Sequence, residues 1–238
     1  MGNITLQEIN NKSIVDQIVD NFTNAIIDGT FQPGEKIPTE SEICESMHVS
    51  RNSVREAIKI LIAYGVLVIR RGDGTYVKDK FDEKMLYPIL YGIILQKDSA
   101  KQILELRKII DVGIIQLSMD HITDNSMKLL EKGLHAFKNT LMTKSVSASA
   151  IFDADIAFHT IIVEIAGNDL LVGLCRYIDR ITKASRLKTT ELILSQNAIE
   201  DLYAKHEEIV RVFKENDKAK INNVVESHYQ YWQMIENK

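Results

Sequence analysis

Asp155 and His159 stand four residues apart in D-I-A-F-H-T-I-I. On a helix that spacing sets a carboxylate and an imidazole on one face, where both can reach a single cation. His206 and His228 fall in two later segments of helical pattern. A lone histidine on a helix is more often a surface or hydrogen-bonded core residue than a ligand, so neither counts for much alone. With the first pair they complete a set of three imidazole nitrogens and one carboxylate oxygen. Such a set suits zinc, nickel or another borderline divalent metal better than calcium or magnesium, which take oxygen ligands. Around zinc it could also activate water for hydrolysis, but the chain has no H-E-x-x-H and no assignable general base.

A second constellation lies nearer the N-terminus. Ser50-Arg51-Asn52-Ser53, followed by Arg55, puts short polar and forked basic side chains where a helix begins. There they can meet base edges while backbone N–H groups face phosphate. Arginine can bond guanine bidentately and asparagine adenine, so Arg51, Asn52 and Arg55 are candidate DNA contacts. Arg70 and Arg71 flank a Gly72-Asp73-Gly74 tip. Glycines there let a wing approach the duplex while the arginines neutralise phosphate; a solvated turn is the plain alternative.

The elements that must position these residues follow from periodicity. Ile14, Val15, Ile18, Val19, Phe22 and Ile26 recur at helical spacing over 14–27, and Gly29 stops that helix. Thr39 and Glu42 form a capping box for a second helix, which runs to about Ser46. Ser50 caps a third, with Val54, Ala57, Ile58, Leu61 and Ile62 inward. V-L-V-I and Thr75-Tyr76-Val77 read as a hairpin. Beyond the charged stretch 78–84 the pattern is helical throughout, with segments near 83–95, 99–121, 125–143, 147–166, 169–188, 196–215 and 218–236. Asp98, Asp124 and Asn168 are candidate N-caps, and Gly167 a stop.

Bulk composition agrees. The 238 residues are 45% hydrophobic and 26% charged with 3 prolines, a profile of a well-packed, helix-rich protein. No segment approaches the roughly 20 apolar residues of a membrane span, and residues 1–12 hold neither a basic start nor an apolar run, so a cytoplasmic location and no membrane partner are expected. Cys44 and Cys175 lack metal-type spacing and are expected as reduced thiols. A net charge of -4 is not what a protein that coats nucleic acid nonspecifically is expected to carry. Arg51, Arg55, Lys59, Arg70 and Arg71 nevertheless leave room for a local basic face.

The stretches P-G-E-K-I-P-T-E-S-E-I, V-S-R-N-S-V-R-E-A-I, L-I-A-Y-G-V-L and G-D-G-T-Y-V resemble the GntR family across the whole N-terminal domain. That resemblance implies a winged helix-turn-helix in which Arg51, Asn52, Ser53, Arg55, Arg71 and Gly72 fall on DNA-contacting positions. Ser41 stands where many relatives carry an arginine, which implies one weaker contact. His48 replaces the usual turn glycine, at a cost on the order of 1 kcal/mol if the backbone is left-handed there.

D-I-A-F-H-T-I-I with A-G-N-D-L-L, then K-H-E-E-I and E-S-H-Y, resemble the FCD effector domain of the FadR branch. The resemblance implies an antiparallel all-α bundle of roughly six or seven helices around a ligand cavity. It also implies a metal at Asp155, His159, His206 and His228, and a small organic acid as effector. Arg107, in E-L-R-K-I-I-D, matches a family arginine near that cavity and could pair with an effector carboxylate. An i,i+4 bridge to Asp111, which replaces the family's more usual glutamate, is the equal alternative.

The expected architecture is thus mainly α: a reader at 1–78, a linker at 79–84 and an effector-binding and dimerisation domain at 85–238. A homodimer on a pseudo-palindromic operator follows from two-fold symmetry. Repression relieved by the effector is the sign the resemblance favours. A metal that is structural or is itself the signal is the rival within the same class, and a zinc hydrolase the rival outside it.

Overall fold

The structure, a computed structural model, describes residues 12–96 and 99–236. The chain divides into two compact units, residues 1–88 and 89–238.

The first unit begins with α1 (Ile14–Ile27), whose N-cap Ser13 accepts the amide of Asp16 and which buries Ile18 and Phe22. In α2 (Glu40–Met47) Thr39 and Glu42 make the reciprocal capping box. The turn to the next helix passes through His48 at φ 53°, the left-handed backbone expected of that position. α3 (Arg51–Ala63) is capped by Ser50 and turns Val54, Ala57, Ile58 and Leu61 inward against α1. Strands β1 (Leu67–Arg70) and β2 (Gly74–Val77) pair antiparallel, with Leu67 opposite Val77 and Arg70 opposite Gly74. The Gly34–Ile37 segment adds a short third edge: Ile37 N–H bonds Thr75 C=O, and Val77 N–H bonds Glu35 C=O. No alternating pattern marks that edge, which is why periodicity overlooks it.

The helices that follow are α4 (Tyr87–Ile94), α5 (Ser99–His121), α6 (Asp124–Leu141), α7 (Ala148–Ile165), α8 (Asp169–Ser195), α9 (Ile199–Glu215), α10 (Ile221–His228) and α11 (Gln230–Glu236). α7 packs on α5, α6 and α8, and α9 on α6 and α10. Their shared core holds Leu130, Phe158, Ile162, Ile209 and Val212. The fold is therefore a winged helix-turn-helix followed by an all-α bundle, as expected.

Several boundaries differ from the sequence reading, each for a local reason. The segment begun at Glu83 is a 3-10 turn over Glu83–Leu86 before α4, because Pro88 has no N–H for an α-type bond and is tolerated only in a helix's first turn. Thr123, rather than Asp124, caps α6 by accepting the Ser126 amide. α8 runs past Lys188 to Ser195, and α9 starts at Ile199 rather than Gln196: Asn197 takes a left-handed φ of 52° and the Ala198 N–H closes on Ile193 C=O. The final segment is interrupted at Tyr229. Gly167 and Asn168 act as stop and cap as expected; Asp98 lies outside the described residues.

Leu130 is fully buried at the centre of the bundle. Leu130→Ala is expected to destabilise the bundle by about 2–5 kcal/mol. Urea denaturation followed through Trp232, the chain's one tryptophan, is the measurement, and a loss under about 0.5 kcal/mol would contradict this packing.

Candidate functional site

The four residues picked out by type and spacing converge inside the bundle. Asp155 and His159 rise from α7, His206 from α9 and His228 from the last turn of α10, and their ligand atoms all lie within 4.8 Å of one another. His206 Nε2 is 2.8 Å from Asp155 Oδ1, His159 Nε2 is 3.7 Å from the same oxygen, and the Nε2 atoms of His159 and His228 are 3.1 Å apart. Two ligands held at zinc distances on neighbouring corners of a tetrahedron are separated by about 3.4 Å, so these spacings suit one small cation.

Proton accounting strengthens the fit. His206 Nδ1 lies 2.8 Å from the Leu202 carbonyl, which can only accept, so Nδ1 carries the ring proton. In a neutral ring the Nε2 lone pair then points at a carboxylate oxygen, an arrangement that needs a proton or a metal between the two. The facing nitrogens of His159 and His228 pose the same demand, and His228 Nδ1 is buried with no hydrogen-bond partner.

Burial, opposed by the Asp155 carboxylate, pushes the His159 imidazole down to about 3. Burial also lowers His228 well below the ordinary histidine value, helped by the neighbouring His159 and His206. Burial by itself would raise the Asp155 carboxyl, but the guanidinium of Arg186 and the nearby imidazoles hold it well below the usual carboxylate range. His159 and His228 are therefore held uncharged and Asp155 ionised, the forms that bind a divalent metal.

Behind the ligands runs a chain of ion pairs that sequence reasoning largely missed. Arg186, on α8, bonds Asp155 Oδ2 with one amino group and Asp179 Oδ1, at 2.6 Å, with the other. Arg107 reaches the same Asp179 oxygen at 2.9 Å, and its Nε lies 2.9 Å from Asp111 without the alignment of a hydrogen bond. Asp111 in turn accepts from Tyr229 Oη. Arg107 is 3% exposed, so the bridge to Asp111 held open by the sequence is present and the guanidinium is already paired. A signal for Arg186 did exist: Asp179, Thr182, Arg186 and Thr190 recur at three- and four-residue steps, polar side chains on the inward face of a long helix.

Two small cavities flank the ligand set. One of about 50 Å³ is lined by Asp155, Arg186, His228, Phe152, Tyr231 and Trp232. A second of about 10 Å³ lies beyond His159, against Arg107, Cys175, Arg176 and Asp179. Burial pushes the Cys175 thiol up to about 11, which leaves it an inert core group.

In the first unit Arg51, Asn52 and Arg55 are exposed at the start of α3, while the Ser53 hydroxyl, 2.9 Å from Ser50 Oγ, belongs to the cap. Arg55 pairs with Glu40 at 3.1 Å, an exposed contact that a phosphate can displace. Arg70, Arg71 and Gly72 are exposed on the hairpin, with Gly72 at φ 77° as its turn requires. Arg70 stacks 3.9 Å over the Tyr76 ring, and Asp73 at the tip is held by Lys36 and Tyr76. Among the described residues no helix is long and apolar enough to cross a membrane.

Residues 14–77 match the model of bacterial regulatory proteins of the gntR family, and residues 102–231 match the FCD domain. The HTH-type transcriptional regulator LutR of Bacillus subtilis (strain 168) is 25% identical over 205 residues, 85% of this chain and 92% of that protein. The galactonate operon transcriptional repressor of Escherichia coli (strain K12) is 24% identical over 173 residues, 71% of this chain and 74% of that protein. A solved structure of Streptococcus agalactiae GntR has the same fold, with a TM-score of 0.54 at 24% identity over 91% of this chain and 97% of that one.

The pKa directions set a pH dependence. The unfolded chain protonates its histidines near the ordinary 6.5, whereas folded His159 resists until about 3. Between those values the unfolded state binds more protons, so metal-free protein is expected to lose stability steadily as pH falls through that window. Urea midpoints from about pH 7 to pH 4 check this, with His159→Asn flattening the slope. A wild-type midpoint independent of pH would mean that His159 is not held neutral.

Proposed function

The chain belongs to the GntR family of bacterial regulatory proteins and carries an FCD domain, and from that premise we propose a metabolite-responsive transcription repressor whose effector is a small organic acid bound at a metal centre. The observation that carries the proposal is the convergence of Asp155, His159, His206 and His228 beside Arg186 and a cavity. Formal charge supports it. The carboxylates of Asp111, Asp155 and Asp179 outnumber the guanidiniums of Arg107 and Arg186 by one, and imidazoles that ligate a metal do so in the neutral form and add nothing. A divalent cation would turn that balance positive by one, which a monocarboxylate neutralises.

Zinc, or nickel or another borderline divalent ion, suits three imidazoles and one carboxylate. When bound, it supplies a Lewis-acid position for an effector oxygen. Arg186 borders the larger cavity and can share its guanidinium with an incoming carboxylate. Arg107, bound on two sides, contributes by fixing Asp179 and reaches an effector only if that pairing opens. Phe152 and Trp232 give the cavity an aromatic wall for the remainder of the molecule. The relatives are named as regulators, one of them of a galactonate operon.

On DNA, the exposed start of α3 enters the major groove with Arg51, Asn52 and Arg55, supported by Ser53, while Arg70, Arg71 and Gly72 bring the wing to the backbone. Two copies on a pseudo-palindromic operator in the cytoplasm give the required affinity. The effector, by binding one arrangement of the bundle more tightly than another, changes the population competent for DNA.

Thermal-shift measurements on chelator-treated protein test the sensing half. A small monocarboxylate is expected to raise Tm only after zinc is restored, and Arg186→Gln to remove that increment. An acid that stabilises without metal overturns the metal platform, and a Tm that responds to metal but to no acid makes the metal itself the signal. For the reader, Arg55→Ala is expected to cost about 1–3 kcal/mol on duplexes selected from a random pool and to lower the salt slope by about 1. Unchanged anisotropy curves would show Arg55 misassigned.

A further inference from the structure

The long helix α5 carries a glycine that nothing among the described residues explains. Gly113 lies mid-helix, where glycine is the poorest residue short of proline, yet a Cβ built there meets no atom within 4 Å. Gly133 in α6 is the instructive contrast, since a Cβ there would collide with the side chain of Ile161. A missing side chain on an open face leaves a notch for something outside the chain.

The surroundings of the notch describe what fits it. Ile109, one turn earlier, is 71% exposed, and Leu106 is 42% exposed. Gln102, Leu106, Ile109, Gly113, Gln116 and Asp120 follow the alternating four- and three-residue steps of a helix-pair seam, and all are exposed. Beside them a groove of about 500 Å³ runs between α5 and α10, bounded by Ile109, Val112 and Val225.

We propose that this face of α5 pairs antiparallel with α5 of a second copy, Ile109 of each seating over Gly113 of the other. A two-fold interface must be self-complementary, residue i meeting j while j meets i, and a protruding isoleucine four residues from a glycine notch satisfies that condition. Charge selects the direction. The antiparallel arrangement brings the basic end at Lys101 towards the acidic end at Asp120 of the other copy, whereas a parallel one would stack Glu105 on Glu105 and Asp120 on Asp120. Asp120 already holds Lys218, but it keeps about half of its side-chain surface open. The inference rests on the two-copy reading of the operator complex and adds the surface that joins the copies. It also gives the bundle a means of acting on its twin, since α5 carries Arg107 and Asp111 of the buried ion-pair chain on its opposite face.

Sedimentation of the full chain, with and without metal, tests it alongside Ile109→Glu, Gly113→Leu and a paired-cysteine variant. Wild type is expected to be dimeric at micromolar concentration, and each single variant to weaken the dimer by at least about tenfold with unchanged circular dichroism, since both positions face open space. In a Cys44→Ser background, Ile109→Cys with Gly113→Cys is expected to form disulfide-linked dimers on mild oxidation. That result would sustain the proposal even if a single variant folded poorly. A wild-type dimer that both variants leave intact, with no cross-link, overturns the α5 seam alone. A monomeric wild type overturns the two-copy reading and the seam with it.

Discussion

One buried carboxylate organises the effector bundle. Asp155 faces the guanidinium of Arg186 with one oxygen and two imidazole nitrogens with the other, all nearly sealed from water. An ionised group so buried is tolerated only when its charge is answered on every side. Arg186 answers half of it. The other half faces His159, which burial keeps uncharged, and His206, whose Nδ1 proton is taken by the Leu202 carbonyl, so a cation placed among them would complete the answer. This demand ties α7, α8, α9 and α10 together at a single point, and through Asp179 and Arg107 it extends to α5.

That chain of ion pairs also gives the bundle a physical route for response. Each link is a charge pair with its partner already in place, so an anion entering beside Arg186 competes with Asp155 and Asp179 for the same donors. Breaking a buried pair is costly unless a substitute arrives. The acid proposed as effector would be such a substitute. Rearrangement would then pass along α8 and α5, whose inward faces hold the arginines and whose outer face, in α5, carries the notch at Gly113.

Sequence reading recovered the architecture because the relevant signals are local. Caps at Thr39 and Ser50 and the apolar stripes of α1 and α3 lie within a few residues of what they determine. The ligand set was legible for a different reason: imidazoles are few, and Asp155 and His159 share one turn. Asp179 and Arg186 were hidden because their meaning depends on distant contacts, Arg107 lying 72 residues from Asp179 and Asp155 lying 31 residues from Arg186, and on which basic side chains point inward. Arg107 showed the converse. Its type and spacing allowed either an effector contact or a bridge to Asp111, and only packing reveals that Asp111 and Asp179 both close around it. The break at Tyr229 has no glycine or proline to mark it in the sequence.

X-ray absorption on protein loaded with one equivalent of zinc reads the coordination of the ion at Asp155. The account expects a first shell of nitrogen and oxygen at about 2.0–2.1 Å, with the outer-shell scattering of three imidazoles that falls to two in His228→Ala. A spectrum without imidazole scattering, or protein that retains no zinc after desalting, would contradict it.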